Sequence, residues 1–283
     1  MDNEKISILA VVHKNLDNLI EYVNSVKAFT TRPYEIIFVN NNAGDDIKQY
    51  LESIQSKDIK VLNLSSNIGI GPGVNLAFSA AQTNHLFKTD TDIVIKSFGW
   101  EDAMIKIVEM NEGVGTVGSQ ACVLKRDEQN KMIMGYIQGC CQYIPRGTTI
   151  KIYNWIQKNR EILLNYVNNL IINNENQYSG YLRDLAKNKQ FIQCNRGFLD
   201  EGYFCVVDDQ DYDLMVRVAG MECALANVSV FHKDAGLNEP QRGVHVSDGF
   251  QYFRTKWDII KNVCGDEKGI IGSVLSACFG DYK

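Results

Sequence analysis

The chain has 283 residues, 45% hydrophobic and 22% charged, a composition that excludes disordered, collagen-like and coiled-coil classes. Lys+Arg of 29 against Asp+Glu of 34 gives a net charge of −5, so there is no basic excess to hold nucleic acid. A bound phosphate then has to rely on local devices: a metal, a helix N-terminus or a few placed cations.

The first hundred residues alternate in type. Residues 6–12 (ISILAVV) form an unbroken apolar run, the pattern of a strand buried on both faces of a parallel sheet. Leu16, Leu19, Tyr22, Val23 and Val26 recur at helical spacing over 16–26. A strand is predicted over 34–39, a helix over 45–54, a strand over 59–64 and a helix over 74–81. A short fourth strand over 85–88 runs into Asp90-Thr91-Asp92. Such alternation implies βαβ units with right-handed crossovers, and ligands then bind beyond the carboxyl ends of the strands. Those ends are His13-Lys14-Asn15, Asn40-Asn41-Asn42, residues 67–73 and residues 90–92.

The second half is less regular. A helix is predicted over 100–110, and short strands over 115–118 and within 132–143 make the sheet mixed. Long and short helical patterns cover 151–172 and 181–188, with an Asn-rich loop at 173–176 between them. A strand is predicted over 203–207, a helix over 211–219 ended by Gly220, and a strand over 224–231. Residues 252–257 read as a helix crossing near the site, where Arg254 or Lys256 can meet phosphate, although exposed cations on an ordinary helix face are the preferred reading. The eight cysteines include no C-x-x-C pair and are read as reduced thiols, many in the core. The polar start, Met1 to Lys5, lacks a leader pattern, and the apolar stretch 269–279 is too short and rich in Gly and Ser to span a bilayer. A cytoplasmic protein with no transmembrane segment is the expectation.

Several constellations point to chemistry. Asp90 and Asp92 lie one residue apart at the end of a buried strand and face one side if the strand continues. Paired carboxylates repel unless a cation lies between them, and Mg²⁺ or Mn²⁺ takes such hard oxygen ligands and completes its shell with phosphate. A solvated turn uses the same residues, but the strand-end position beside a glycine loop favours the metal. That loop, 67–75 (NIGIGPGVN), has G-x-G-x-G spacing after the third strand, which excludes the dinucleotide fingerprint; it is read as facing a nucleotide. Residues 208–213 (DDQDYD) carry four carboxylates; helix capping accounts for some, and one in a cleft can act as general base toward a hydroxyl. His232 closes a late strand as His13 closes the first, and a neutral imidazole there can complete a metal site.

Taken in order, Val12-His13, Asn40-Asn41, the Asn67-x-Gly69 to Asn75 loop, Asp90-Thr91-Asp92, Gly139, Leu199-Asp200-Glu201, Gln210-Asp211-Tyr212-Asp213 with Arg217, Gly220 and His232 resemble the family 2 glycosyltransferases of the GT-A fold, over residues 5–240. The resemblance implies an α/β GT-A fold: a Rossmann-like nucleotide-binding half, a mixed central sheet, a helical insertion and a C-terminal helical tail. One domain would span 1–283, with the donor half at 1–95, the acceptor half at 96–240 including an insertion at 146–195, and the tail at 241–283. The implied reaction moves a sugar, with inversion, from a nucleotide-sugar (UDP- or dTDP-sugar favoured) to a glycan, lipid-linked or protein acceptor. Mn²⁺ or Mg²⁺ would be held by Asp90, Asp92 and His232. Val12, His13, Asn40, Asn67, Gly69, Asn75, Asp90 and Thr91 would lie on the nucleotide, and Asp211 would be the catalytic base.

Asn40 replaces the usual Asp that reads the base, keeping an acceptor but losing the charge-assisted bond. Gln210 replaces the usual Glu. The long 146–195 segment has three candidate roles: binding a protein, packing in a homo-oligomer, or covering the site. Two other readings remain. A sugar nucleotidyltransferase shares the paired carboxylates but needs an early basic, glycine-rich signature. A non-catalytic nucleotide-sugar-binding module is compatible with Asn40 and Gln210.

Overall fold

The computed structural model describes residues 4–126, 132–174, 178–204, 207–233, 242–266 and 269–279. The first half runs β1 (Ile6–Val12), α1 (Leu16–Phe29), β2 (Tyr34–Asn40), α2 (Asp45–Ile54), β3 (Ile59–Asn63), α3 (Ile70–Ala80) and β4 (His85–Asp90). It continues through β5 (Ile93–Ile95), α4 (Trp100–Met110), β6 (Val114–Gly118), β7 (Ala121–Arg126), β8 (Met132–Ile137) and β9 (Cys141–Pro145). The chain then forms α5 (Arg146–Asn173), α6 (Ser179–Cys194), α7 (Asp208–Val218), β10 (Glu222–Leu225), β11 (Val230–His232), α8 (Arg242–Cys264) and α9 (Ile270–Phe279).

Seven strands form the main sheet in the order β10-β6-β9-β4-β1-β2-β3. β1 is parallel to β2 and β4, while β9 runs antiparallel to β4 and β6, so the sheet is mixed. Period-two alternation divides the strand side chains between two cores. Leu9, Val11, Ile37, Val39 and Leu86 face the layer built from α3 and α5 through α9. Ile6, Ile8, Ala10, Val12, Ile36, Phe38 and Phe87 face α1, α2 and α4. Burial on both faces explains why the first strands read as continuous apolar runs.

Where the elements differ from expectation, local chemistry gives the reason. α3 begins at Ile70 rather than 74 because Pro72 falls in its first turn, where an N–H has no intrahelical acceptor anyway. No strand forms at the described residues of 203–207: Tyr203 closes a turn onto the Asp200 carbonyl, and Val207, at φ 71, opens α7. Residues 205–206 lie outside the described residues. The predicted strand over 224–231 is two strands in different sheets, β10 on β6 and β11 on β5. The helix read at 252–257 is part of α8, and its Lys256 is 1% exposed rather than a surface cation. Among the described residues no helix is long and apolar enough to cross a membrane.

Candidate active site

Strand register assembles one edge of the sheet. Val11 pairs with Asp90, Val12 with Asn40 and Asn40 with Asn63, so the carboxyl ends of four strands stand level. From this edge the chain turns through the half-buried Thr91 and Asp92 into β5. β11 then pairs antiparallel with β5, matching His232 to Ile93, and so brings a residue from far along the chain against the two acids. His232 Nε2 lies 3.3 Å from Asp92 Oδ1 and 4.0 Å from Asp90 Oδ2. One ligand atom from each of the three lies within 4.8 Å of the others. Two carboxylates and an imidazole at this spacing fit a hard divalent cation. Burial pushes the Asp90 carboxyl above its usual range; Lys88 opposes that and Asp92 adds to it.

The nucleotide-side residues hold one another. Asn41 accepts from the Ile68 N–H at 2.9 Å and donates to Asn67 Oδ1 at 2.8 Å, and the Asn67 amide lies 3.3 Å from His13 Nε2. The Val12 carbonyl accepts from the Asn41 N–H at 2.8 Å. Asn40 accepts from the Ala43 N–H at 3.0 Å and donates to Asn63 at 2.8 Å, so its amide is engaged at both ends inside the protein. The glycines of 67–75 face protein. A Cβ on Gly69 would lie 2.7 Å from the Phe204 carbonyl oxygen, and one on Gly71 would lie 2.8 Å from that of Asp200. Asn75 fastens the same segment by donating to Leu199 O at 2.9 Å and Glu201 Oε1 at 3.0 Å. The loop is small because residues 199–204 pack against it. Close packing is thus one reason for glycine at these positions. A cavity of about 460 Å³ lies behind this segment, lined by Asn75, Phe78, Lys187, Phe191 and Phe198; Asp90, Asp92, His232 and Asp209 do not line it.

α7 supplies the remaining acids. Val207 is β-branched yet left-handed at φ 71, a conformation that side chains of its kind rarely adopt and that is typical of functional turns. It starts the helix so that Asp208 Oδ2 comes 3.6 Å from the Lys88 ammonium. Asp209 Oδ2 accepts from the Gly139 N–H at 3.2 Å, and its other oxygen accepts from the Gln210 N–H at 2.9 Å. Asp209 is half-buried. Burial and the adjacent Asp208 raise its carboxyl to about 6, against the pull of Lys88.

Asp211, the base that the resemblance implied, points elsewhere. Two residues along a helix is a rotation of about 200°, which sends it to the core side. There its Oδ2 accepts from Lys256 at 2.7 Å, and Oδ1 accepts from Trp257 Nε1 at 2.9 Å and the Tyr203 hydroxyl at 3.1 Å. Lys256 also donates to Asp200 Oδ2 at 2.8 Å, and Tyr252 donates to the same oxygen at 2.8 Å. Asp211 is 1% exposed, and both of its oxygens accept hydrogen bonds from within the protein. The signal for this lay in α8: Tyr252, Phe253, Lys256, Trp257 and Ile260 follow helical spacing, so a lysine occupies an apolar stripe and needs a buried acid.

The mixed sheet, the level strand ends and the acidic pair with its returning histidine together define a GT-A glycosyltransferase. Residues 7–188, more than half of the chain, match the family model "Glycosyl transferase family 2". The chain belongs to that family and is a glycosyltransferase, which sets aside the nucleotidyltransferase reading. Its fold is similar to the mannosyltransferase PcManGT from Pyrobaculum calidifontis in complex with GDP-Man and Mn²⁺, at 11% identity and a TM-score of 0.62, covering 98% of this chain and 70% of that one. It is similar to S. aureus TarS 1–349 in complex with UDP-GlcNAc, at 14% identity and a TM-score of 0.59, covering 98% and 73%. It also resembles GalNAc-T7 with UDP, GalNAc and Mn²⁺, at 12% identity and a TM-score of 0.56, covering 81% and 44%. No curated protein sequence matches the chain.

Proposed function

We propose that this glycosyltransferase is inverting and divalent-metal dependent, moves a sugar from a nucleotide-sugar to an acceptor hydroxyl, and uses Asp209 as its base. The observation that carries this reading is geometric: the half-buried Asp209 accepts from the Gly139 N–H, on the turn whose next carbonyl, of Cys140, accepts from the N–H of Asp90 in the Asp90, Asp92 and His232 cluster. Asp90, Asp92 and His232 would hold Mn²⁺ or Mg²⁺, and the ion supplies charge to a diphosphate leaving group. Three structural neighbours were solved with GDP-Man, UDP-GlcNAc or UDP, which supports a nucleotide-sugar donor. His13, Asn67 and Asn41 line the strand ends where the nucleotide would lie.

Asp209 accepts the proton of the acceptor hydroxyl as that oxygen bonds to the anomeric carbon. The bond from that carbon to the diphosphate breaks, and the nucleoside diphosphate leaves with the electron pair. One displacement from the opposite face inverts the carbon. A carboxyl raised toward neutrality is a stronger base than an ordinary Asp while still ionised at pH 7. The domain would comprise residues 1–283, with α5 and α6 on the acceptor side.

The test is release of nucleoside diphosphate from UDP-GlcNAc, UDP-glucose, a dTDP-sugar and GDP-mannose in MnCl₂, with and without EDTA. Release from one donor class, stopped by EDTA and restored by Mn²⁺, is the expected result. No release from any donor, or full release in chelator, contradicts it.

A further inference from the structure

We propose that Lys88 is a positioning residue for transfer, one that fixes the Asp209 carboxylate against the metal-bearing end of β4 through the Gly139 peptide. This rests on Asp209 being the base, as proposed above. Lys88 precedes Asp90 by two residues on β4, so both project from the same face of the strand. It is 3% exposed. A buried ammonium persists only where partners repay its desolvation. Its Nζ donates to the Gly139 carbonyl at 2.9 Å and lies 3.6 Å from Asp208 Oδ2, a buried oxygen with no hydrogen-bond partner. On its other side the same glycine donates its N–H to Asp209 at 3.2 Å. The next carbonyl, of Cys140, accepts from the Asp90 N–H at 2.9 Å. One turn is thus tied to the lysine, to the metal-bearing strand and to the base.

The identity of residue 139 follows from this arrangement. A Cβ there would stand 2.3 Å from Lys88 Nζ and 3.2 Å from Asp209 Cβ. Lysine at 88 and glycine at 139 are therefore matched: a side chain at 139 would push the ammonium off its carbonyl. The groups facing Asp209 include Asp208 and Asp213 on its own helix, Lys88 from β4, Cys140, and the N–H groups of Gly139 and Gln210. Deleting the ammonium frees the turn and removes the cation nearest the base.

The test compares Lys88→Met with wild type in nucleotide release from the one of the four donors above that wild type uses, and in a carboxyl ¹³C NMR titration of Asp209 assigned with Asp209→Asn. Expected are a kcat lower by about 10- to 100-fold, a donor KM within about threefold, and an Asp209 titration at higher pH than in wild type. Gly139→Ala, which displaces the lysine without deleting it, should reproduce the kcat loss, and the double variant should be no worse than either single one. It also stands in if Lys88→Met does not fold. A kcat within twofold of wild type, an unmoved Asp209 titration, or additive effects overturn the inference. If wild type releases no nucleotide from any of the four donors named above, the proposed reaction fails, while the NMR arm still decides whether Lys88 governs Asp209.

Discussion

Replacing Lys256 with methionine is a severe test of how α8 holds α7. The side chain keeps its volume and apolar stem, so the cavity contribution is small. What is lost is one ammonium bonded at 2.8 Å to Asp200 and at 2.7 Å to Asp211, both buried. Removing one partner from a buried ion pair costs about 3–5 kcal/mol, because the remaining charge stays desolvated. Here two carboxylates remain, steadied by Tyr252, Tyr203, Trp257 and the Gly202 N–H. The expected loss is therefore about 3–5 kcal/mol, or roughly 6–20 °C in Tm for a chain of this size.

The loss should depend on pH. Burial and Asp200 raise the Asp211 carboxyl, and Lys256 restrains it, so its removal raises the folded-state value further. The native variant then binds more protons than the unfolded chain between the two values, and its stability rises as pH falls. The deficit against wild type should be largest at pH 7 to 8 and shrink toward pH 5. Thermal and urea unfolding followed by circular dichroism at pH 7.5 and 5.5 measures both effects. Adding Asp211→Asn should recover part of the loss by removing one orphaned charge. A single variant within 1 kcal/mol of wild type, or a deficit that grows on acidification, would refute the reasoning.

Three further outcomes follow from the site. Asp209→Asn should lower kcat by about 10²–10⁴-fold while nucleotide-sugar binding, followed by calorimetry, stays within a few fold. Asp211→Asn should instead lower Tm, and the folded fraction should keep most of its kcat; the opposite pattern would restore Asp211 as base. Because Asp209 is raised to about 6 in the free protein and must be ionised to act, kcat/KM should fall below about pH 6. A profile flat from pH 7 to 5 contradicts that.

The parts legible in the sequence are those in which each residue is judged by near neighbours. β1 and most of β2 read as apolar runs because both faces of the sheet are covered, and Asp90 with Asp92 stood out because two acids follow the short buried strand β4. The parts that were not legible depend on distant chain. The packing of residues 199–204 against Gly69 and Gly71 has no local signal. The strand read at 203–207 gives way to the left-handed turn at Val207. Asp209 and Asp211 are alike in composition, and helical rotation turns them to different sides once α7 is known to begin at Asp208. Lys256 was misread as a surface cation although its apolar neighbours at helical spacing marked it as buried.

The acidic cluster itself is most directly tested by Mn²⁺ titration, with free ion followed by electron paramagnetic resonance in the presence of UDP or GDP. Wild type should bind Mn²⁺ saturably, Asp92→Asn should abolish that binding, and His232→Ala should weaken it, with all three proteins folded. Equal Mn²⁺ binding in Asp92→Asn and wild type, or no binding in wild type with either nucleotide, would contradict the assignment of Asp90, Asp92 and His232 as the metal site.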